Sequence, residues 1–329
     1  MDVIAGFKEK AKKSLKKIVL PETNDVRILQ AAEKIKKEGF AAPLLVGDVG
    51  KTKEMAVSCG ANIDGIEIFD PISSAKLDAY AQAYAKKRQT EGITKEIALK
   101  LVKRNLFFAS MMVSEGDADG MVAGAANATA TIIQASALAI GYGKGISTPS
   151  SFFIMVIPEF QEEQDKIFVY ADCAVNIAPT ASQLAEIAVS SGRSAKNLLG
   201  IEPRIAMLSF STKGSASHES VDKVVEALKI AREKESSFYI DGEFQADTAL
   251  MQRVAQKKIK EPSEVAGKAN ILIFPDLNSG NIAYKLTQYL AGAKAFGPFL
   301  QGFAKPVSDL SRGASVDDVV GAVAVVAAQ

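Results

Sequence analysis

Short β-branched runs alternating with longer helical stretches predict an α/β fold. The expected form is two three-layer α/β lobes with mainly parallel sheets and an interdomain cleft. Three observations carry this. Ile18-Val19-Leu20 reads as a strand, Asp25 to Lys37 as a helix and Pro43 to Val46 as the next strand, a βαβ order. The same alternation runs on through most of the chain. And 329 residues are long for one compact core but comfortable for two.

Further strands are expected at Ile66 to Phe69, Gly120 to Ala123, Phe152 to Ile157, Ile167 to Ala171 and Arg204 to Leu208. Phe238 to Asp241, Ile271 to Phe274 and Ala295 to Phe299 complete them. Helical patterns fall at Ala181 to Leu198, Glu219 to Lys234 and Asn281 to Leu290. Glycines and a proline interrupt the periodicity between Gly141 and Pro149, and a second seam falls between Gly297 and Pro306. The tail opens on a capping signal at Ser315 and turns strongly apolar, so it needs a core to bury against. It is expected back on the first lobe, which makes that lobe discontinuous: residues 1–148 plus 300–329, with 149–299 as the second.

Lys plus Arg total 39 against 38 Asp plus Glu, a balance that argues against a nucleic-acid binder. The Lys8 to Lys17 run is broken by Ala, Leu and Glu and reads as a solvated helix face. Two distant cysteines, Cys59 and Cys173, give no disulfide framework and suit a reducing cytoplasm. No secretory leader or bilayer-spanning run is recognisable, so a cytoplasmic protein without a membrane partner is expected. The single histidine, His218, leaves no histidine-rich metal site, and it reads as an exposed helix-start residue.

Ligands of open α/β sheets bind beyond the carboxyl ends of the strands. Those positions hold Pro21-Glu22-Thr23-Asn24, the small residues Gly124 to Thr131, Asp172 with Asn176, Ser209 to Ser215, Asp241-Gly242-Glu243 and Pro275 to Ser279. Turns favour the same residue types, so each has a plain structural reading too. Gly47 to Thr52 has too few residues between its glycines for a phosphate loop, and Gly141 to Gly145 does not fit the dinucleotide fingerprint. Ser211-Thr212-Lys213-Gly214-Ser215 combines hydroxyls, amides and a cation after a strand, which suits either an anion or a capping turn. Asp309 to Asp318 is the densest constellation, and Ser315 with Asp318 forms a capping box there.

With these motifs in hand, the chain resembles the phosphate acetyltransferase (phosphotransacetylase) family over essentially its whole length. The carrying segments are Ile18 to Glu22 with Arg27, Tyr170 to Pro179, Met207 to Ser215, Asp241 to Gln245, Pro275 to Lys285, Gly297-Pro298 with Gln301-Gly302, and Asp309 to Gly313. The resemblance implies reversible acetyl transfer between acetyl phosphate and coenzyme A, a homodimer and no cofactor, coenzyme A being a substrate. By the same resemblance Asp318 draws the thiol proton, Ser311 hydrogen-bonds at the reacting centre and Arg312 stabilises developing charge. Arg27, Arg88, Asn127, Thr129, Gln134, Lys213 and Ser215 are the implied substrate-binding positions, and no metal is implied. An alkyl thiol of pKa about 8.5 needs a base at neutral pH, and a guanidinium suits phosphate oxygens. The departures cluster: Asn127, Thr131 and Gln134 stand where the family usually shows His, Asp and Arg, which predicts weakened coenzyme A binding with the chemistry kept. A propionyl- or butyryl-preferring enzyme and a non-catalytic acetyl-CoA sensor are the rival readings.

Overall fold

The computed structural model describes residues 3–329. Residues 143–302 form one compact unit, here the inserted unit; residues 3–142 and Phe303–Gln329 form the other, the split unit.

The chain opens with α1 (Val3–Lys12), β1 (Lys17–Leu20), α2 (Val26–Glu38), β2 (Ala42–Val46), α3 (Val49–Cys59) and β3 (Glu67–Phe69). There follow α4 (Leu77–Lys87), α5 (Lys95–Val102), α6 (Asn105–Glu115), β4 (Gly120–Ala123) and α7 (Thr129–Ala139). The inserted unit runs β5 (Ser150–Phe160), β6 (Glu163–Ala171), α8 (Ala181–Leu199), β7 (Arg204–Leu208), α9 (Glu219–Lys234) and β8 (Tyr239–Phe244). It ends with α10 (Ala246–Leu250), α11 (Gln252–Lys258), β9 (Ile271–Ile273), α12 (Leu277–Leu290) and β10 (Lys294–Gln301). The chain then returns to the split unit as β11 (Val307–Asp309) and α13 (Val316–Ala328).

The split unit's sheet is wholly parallel, in the order β11-β4-β1-β2-β3. Its central strands β1 and β4, with β2, are apolar and almost wholly buried, as parallel strands under two helical layers must be. α6 and α13 supply those layers, both packing on β1 and β4. Residues 106–113 of α6 are all buried, and every residue of α13 from Val319 to Ala328 is buried too. Each fully buried valine of α13 contributes about 1.5 kcal/mol. The tail therefore closes the split unit's core, packing on α1, α2 and β4. Its start is set locally: Ser315 Oγ accepts from Asp318 N, and Asp318 Oδ2 accepts from Ser315 N, the reciprocal capping box.

The inserted unit's sheet runs β10-β5-β6-β9-β7-β8. β6, β9, β7 and β8 are parallel, whereas β5 pairs antiparallel with both β6 and β10. β5 and β6 are joined by a two-residue turn at Gln161-Glu162, too short for the crossover that parallel pairing requires. Phe153, Met155, Phe168, Tyr170, Leu208 and Leu272 line one core face. Ile205, on the opposite face by strand alternation, approaches Gly192 of α8 so closely that a Cβ there would overlap it. Among the described residues no helix is long and apolar enough to cross a membrane.

Candidate active site

In the split unit the carboxyl ends of β1, β4 and β11 lie side by side, because Ile18 pairs with Gly120 and Asp309 with Ala123. That register gathers three loops distant in sequence: 21–27, 124–129 and 309–318. The first two are tied by a buried carboxylate. Glu22 is only 1% exposed and accepts from the backbone amides of Gly124 and Ala125 (both 2.8 Å), Ala126 (3.1 Å) and Asn127 (2.8 Å). The Asn127 side-chain amide adds a fifth bond at 2.7 Å. A run of amides after a strand is a ready anion cradle, and here the protein's own carboxylate fills it.

Arg27 ties in the third loop. It sits in the first turn of α2, where Asp25 is the N-cap and accepts from the Arg27 amide. Its guanidinium donates to both Asp25 oxygens (2.9 and 2.6 Å), to the carbonyls of Arg312 (2.8 Å) and Ala314 (2.7 Å), and to that of Ala125 (3.1 Å). Those bonds use all five of its N–H groups. The guanidinium holds the Asp25 carboxyl below its ordinary range, chiefly through its hydrogen bonds. Arg27 thus fixes the Ser311–Ala314 turn rather than offering free donors to a ligand.

That turn is anchored at both ends by buried Leu310 and Ala314, so Ser311, Arg312 and Gly313 stand exposed between them. The Ser311 carbonyl accepts from the Ala314 amide and its Oγ from the Gly313 amide. Asp318 is exposed at the head of α13; its Oδ2 takes both the amide and the hydroxyl of Ser315, each at 2.8 Å. Its neighbour Asp317 pairs with Lys34 on α2 at 2.7 Å.

Asp309 is the residue that pattern alone does not single out. It is 6% exposed and takes the hydroxyl of Thr129, the first residue of α7, on Oδ2. Its Oδ1 is buried without a hydrogen bond. Burial, with the Glu22 carboxylate nearby adding to it, pushes the group up to about 6 against the pull of Thr129 and the Leu310 amide. Gly124, at φ +123°, has to be glycine here: a Cβ would overlap Asp309 Oδ1 and the Leu310 backbone.

Of the expected residues, the structure thus brings Arg27, Asn127, Thr129, Ser311, Arg312 and Asp318 to one end of the split unit. Arg88 sits elsewhere. It donates to the carbonyls of Ala137 and Leu138 (3.0 and 3.1 Å) and to Glu91 (2.6 Å), satisfying the last turn of α7 together with Lys87. That is about 12 Å along the helix from Thr129. Gln134 is exposed midway along α7.

Lys213 and Ser215 belong to the inserted unit. Lys213 has φ +48° and donates to Asp241 Oδ1 (2.7 Å) and the Gly242 carbonyl (2.6 Å). Ser215 Oγ accepts from the Thr212 amide at 3.0 Å. Buried Glu243 takes the Gly214 amide (2.7 Å) and the Ser211 hydroxyl (2.8 Å), so an internal carboxylate occupies this loop as Glu22 occupies the other. In the same unit, at the end of β6, buried Asp172 gathers the amides of Ala174, Val175 and Asn176.

A family-wide sequence profile described as "Phosphate acetyl/butaryl transferase" matches residues 2–327. The chain belongs to this phosphate acyltransferase family. It is 49% identical over 330 residues to the phosphate acetyltransferase of Thermoanaerobacterium thermosaccharolyticum, covering 100% of this chain and 99% of that one. With the phosphate acetyltransferase of Acetivibrio thermocellus it shares 46% over 329 residues, 100% and 98% of the two chains. The solved phosphotransacetylase of Streptococcus pyogenes superposes with a TM-score of 0.92 at 41% identity, covering 99% of this chain and 97% of that chain. As a member of the family the chain is a transferase, and the two sheets described above are its architecture.

Proposed function

We infer that the chain catalyses the reversible reaction acetyl-CoA + phosphate ⇌ CoA + acetyl phosphate. Full-length likeness to phosphate acetyltransferases carries this reading. The reacting groups are Ser311, Arg312 and Asp318, on the exposed turn that Arg27 holds and at the head of α13. Read towards acetyl-CoA, Asp318 takes the thiol proton through its free oxygen and the sulfur attacks the acetyl carbon. The bond from that carbon to the bridging oxygen then breaks and phosphate leaves with its electron pair. A thiol of pKa about 8.5 is mostly protonated at neutral pH, so a base raises the nucleophile's population. Ser311 donates a hydroxyl at the reacting centre, and Arg312, whose side chain is exposed and forms no ion pair among the described residues, receives phosphate oxygens.

The decisive experiment is phosphate-dependent turnover of acetyl-CoA by the wild type and by Ser311→Ala, Arg312→Ala and Asp318→Asn. Asp318→Asn should cost about 10² or more in turnover. Near-normal turnover in a folded Asp318→Asn protein refutes the base. Binding of acetyl-CoA without turnover in the wild type would make the chain a sensor.

Asn127 retains a hydrogen bond, to Glu22, but the exposed Gln134 brings no charge to α7. Coenzyme A accordingly binds weakly, and Gln134→Arg should lower its KM; an unchanged or higher KM contradicts this. The small residues from Ala123 to Ala130 support propionyl and butyryl phosphates as the alternative substrates.

The enzyme works as a homodimer in the cytoplasm. Support for the dimer comes from α12, where Ile282, Leu286, Tyr289 and Leu290 are exposed at i, i+4, i+7 and i+8, a single apolar stripe suited to a second copy. Sedimentation as a monomer at micromolar concentration would exclude it.

A further inference from the structure

We propose that Asp309 is a positioning residue of the acyl-transfer site: its carboxylate braces the Ser311–Arg312 turn against the head of α7 by holding the Thr129 hydroxyl. This rests on the reading of Ser311 and Arg312 as the reacting groups.

Asp309 ends β11 and stands two residues before Ser311, so whatever fixes it fixes the start of the turn. Its side-chain hydrogen bond from Thr129 crosses 180 residues of sequence. The α7 N-cap residue, Ala128, offers no side-chain acceptor, which leaves the Asp309 carboxylate beside a helix terminus that favours negative charge. Nothing about this arrangement suits stability alone. One carboxylate oxygen is buried without a well-formed hydrogen bond, the Leu310 amide relieving the carboxyl only in part, and Glu22 lies close enough to repel it. A buried polar atom left in that state calls for an explanation outside packing.

The remaining charges around it cannot relieve the cost. On α2 and its approach, Arg27 is saturated by Asp25 and three carbonyls. On α13, Asp317 is held by Lys34 and Asp318 by the capping box. In its own loop Arg312 is exposed, and β4 and α7 carry no ionisable side chain. What the arrangement does supply is a charge-assisted hydrogen bond, about twice as strong as a neutral one, at the root of the reactive turn. Protonation of Asp309, centred at about pH 6, weakens that brace.

The test is kcat and KM of the wild type, Asp309→Asn, Thr129→Val and Thr129→Ser between about pH 5 and 8, with melting curves on the same samples. Asp309→Asn should lose about tenfold in kcat at pH 8, with KM within about twofold, and should match the wild type near pH 5. Thr129→Val should lose kcat similarly, and Thr129→Ser, which keeps the hydroxyl, should restore it. Asp309→Asn should also melt higher than the wild type at pH 8, so that activity falls while stability rises. Unchanged kcat in Asp309→Asn across the range overturns the proposal, as does a loss that tracks a lower melting temperature. The same assay run on Ser311→Ala and Arg312→Ala separates the two levels. Full wild-type-like turnover in those variants removes the reacting-group reading itself, and the brace with it. Their loss alongside a normal Asp309→Asn removes the brace alone.

Discussion

Asp241 in β8 and Asp309 in β11 are buried to the same degree, 8% and 6% exposed, one in each unit. Burial pushes both carboxyls up, yet Asp241 ends below its ordinary range and Asp309 at about 6. The donors make the difference. Asp241 receives Lys213 at 2.7 Å, Arg232 at 2.9 Å, the Ser263 hydroxyl at 2.6 Å and the Gly242 amide at 2.9 Å. Asp309 has a threonine hydroxyl, a backbone amide and a like charge for a neighbour. Lys213, the Ser263 hydroxyl and the Gly242 amide together outweigh desolvation at Asp241, whereas a hydroxyl and an amide without a cation do not at Asp309. A low-lying buried carboxylate therefore marks a strut, and a raised one marks a place where stability has been given up.

Substituting the two aspartates should move stability in opposite directions, and the Asp309 effect should be the larger. A raised carboxyl costs the fold nothing at low pH and progressively more as pH rises from the ordinary value through about 6. Asp309→Asn should accordingly stabilise the protein at pH 8 by up to about 3 kcal/mol, the equivalent of two pKa units, with the gain fading as pH falls below about 6 and nearly gone by about pH 4. Denaturant midpoints at both pH values measure it, and a loss at pH 8 would break the contrast. Asp241 obeys the reverse sign: its depressed carboxyl contributes stability above its ordinary pKa, and that stability is lost as pH falls through the folded value. Asp241→Asn should cost about 2 kcal/mol at pH 7 and little in acid. The figure stays modest because the Lys213 and Arg232 side chains are 38% and 53% exposed and can turn to water. The smallest effect should come from Thr129→Val, which removes the hydroxyl that pulls Asp309 down. It should shift the midpoint of that titration upward, read by NMR of the carboxyl carbon; a downward shift would contradict the assignment.

Local features of this fold were legible in the sequence and register was not. The capping box of Ser315 and Asp318 spans four residues and could be read directly, as could β4, β7, α9 and α13, whose periodicity decides them. β11 escaped because Val-Ser-Asp lacks the apolar run that marks β9, and it is held in place by β4 rather than by its own composition. β5 was legible as a strand, but its antiparallel direction was not, because alternation with helices argues for parallel pairing wherever a tight turn is not recognised. Most of the site depends on which strands are neighbours. Glu22 meets Gly124 across 102 residues and Thr129 meets Asp309 across 180, and no local signal records either contact. The partners of Arg88 were equally out of reach of local pattern: its hydrogen bonds go to the end of α7, about 50 residues on in sequence. A charged residue placed just past the end of an apolar strand, as Glu22 is after Leu20-Pro21, was the available hint.

The division of the split unit has a bearing on how the chain is made. Residues 143–302 are contiguous and can fold as soon as they leave the ribosome. The other unit must wait. Until β11 and α13 emerge, its β4 has an open edge and the apolar surface of α1, α2 and β1 lacks its cover. At ordinary translation rates that interval is roughly 10 to 40 s, long enough for a chaperone to bind. The unit begun first is finished last, and the turn bearing Ser311 and Arg312 takes shape only with its closing segment.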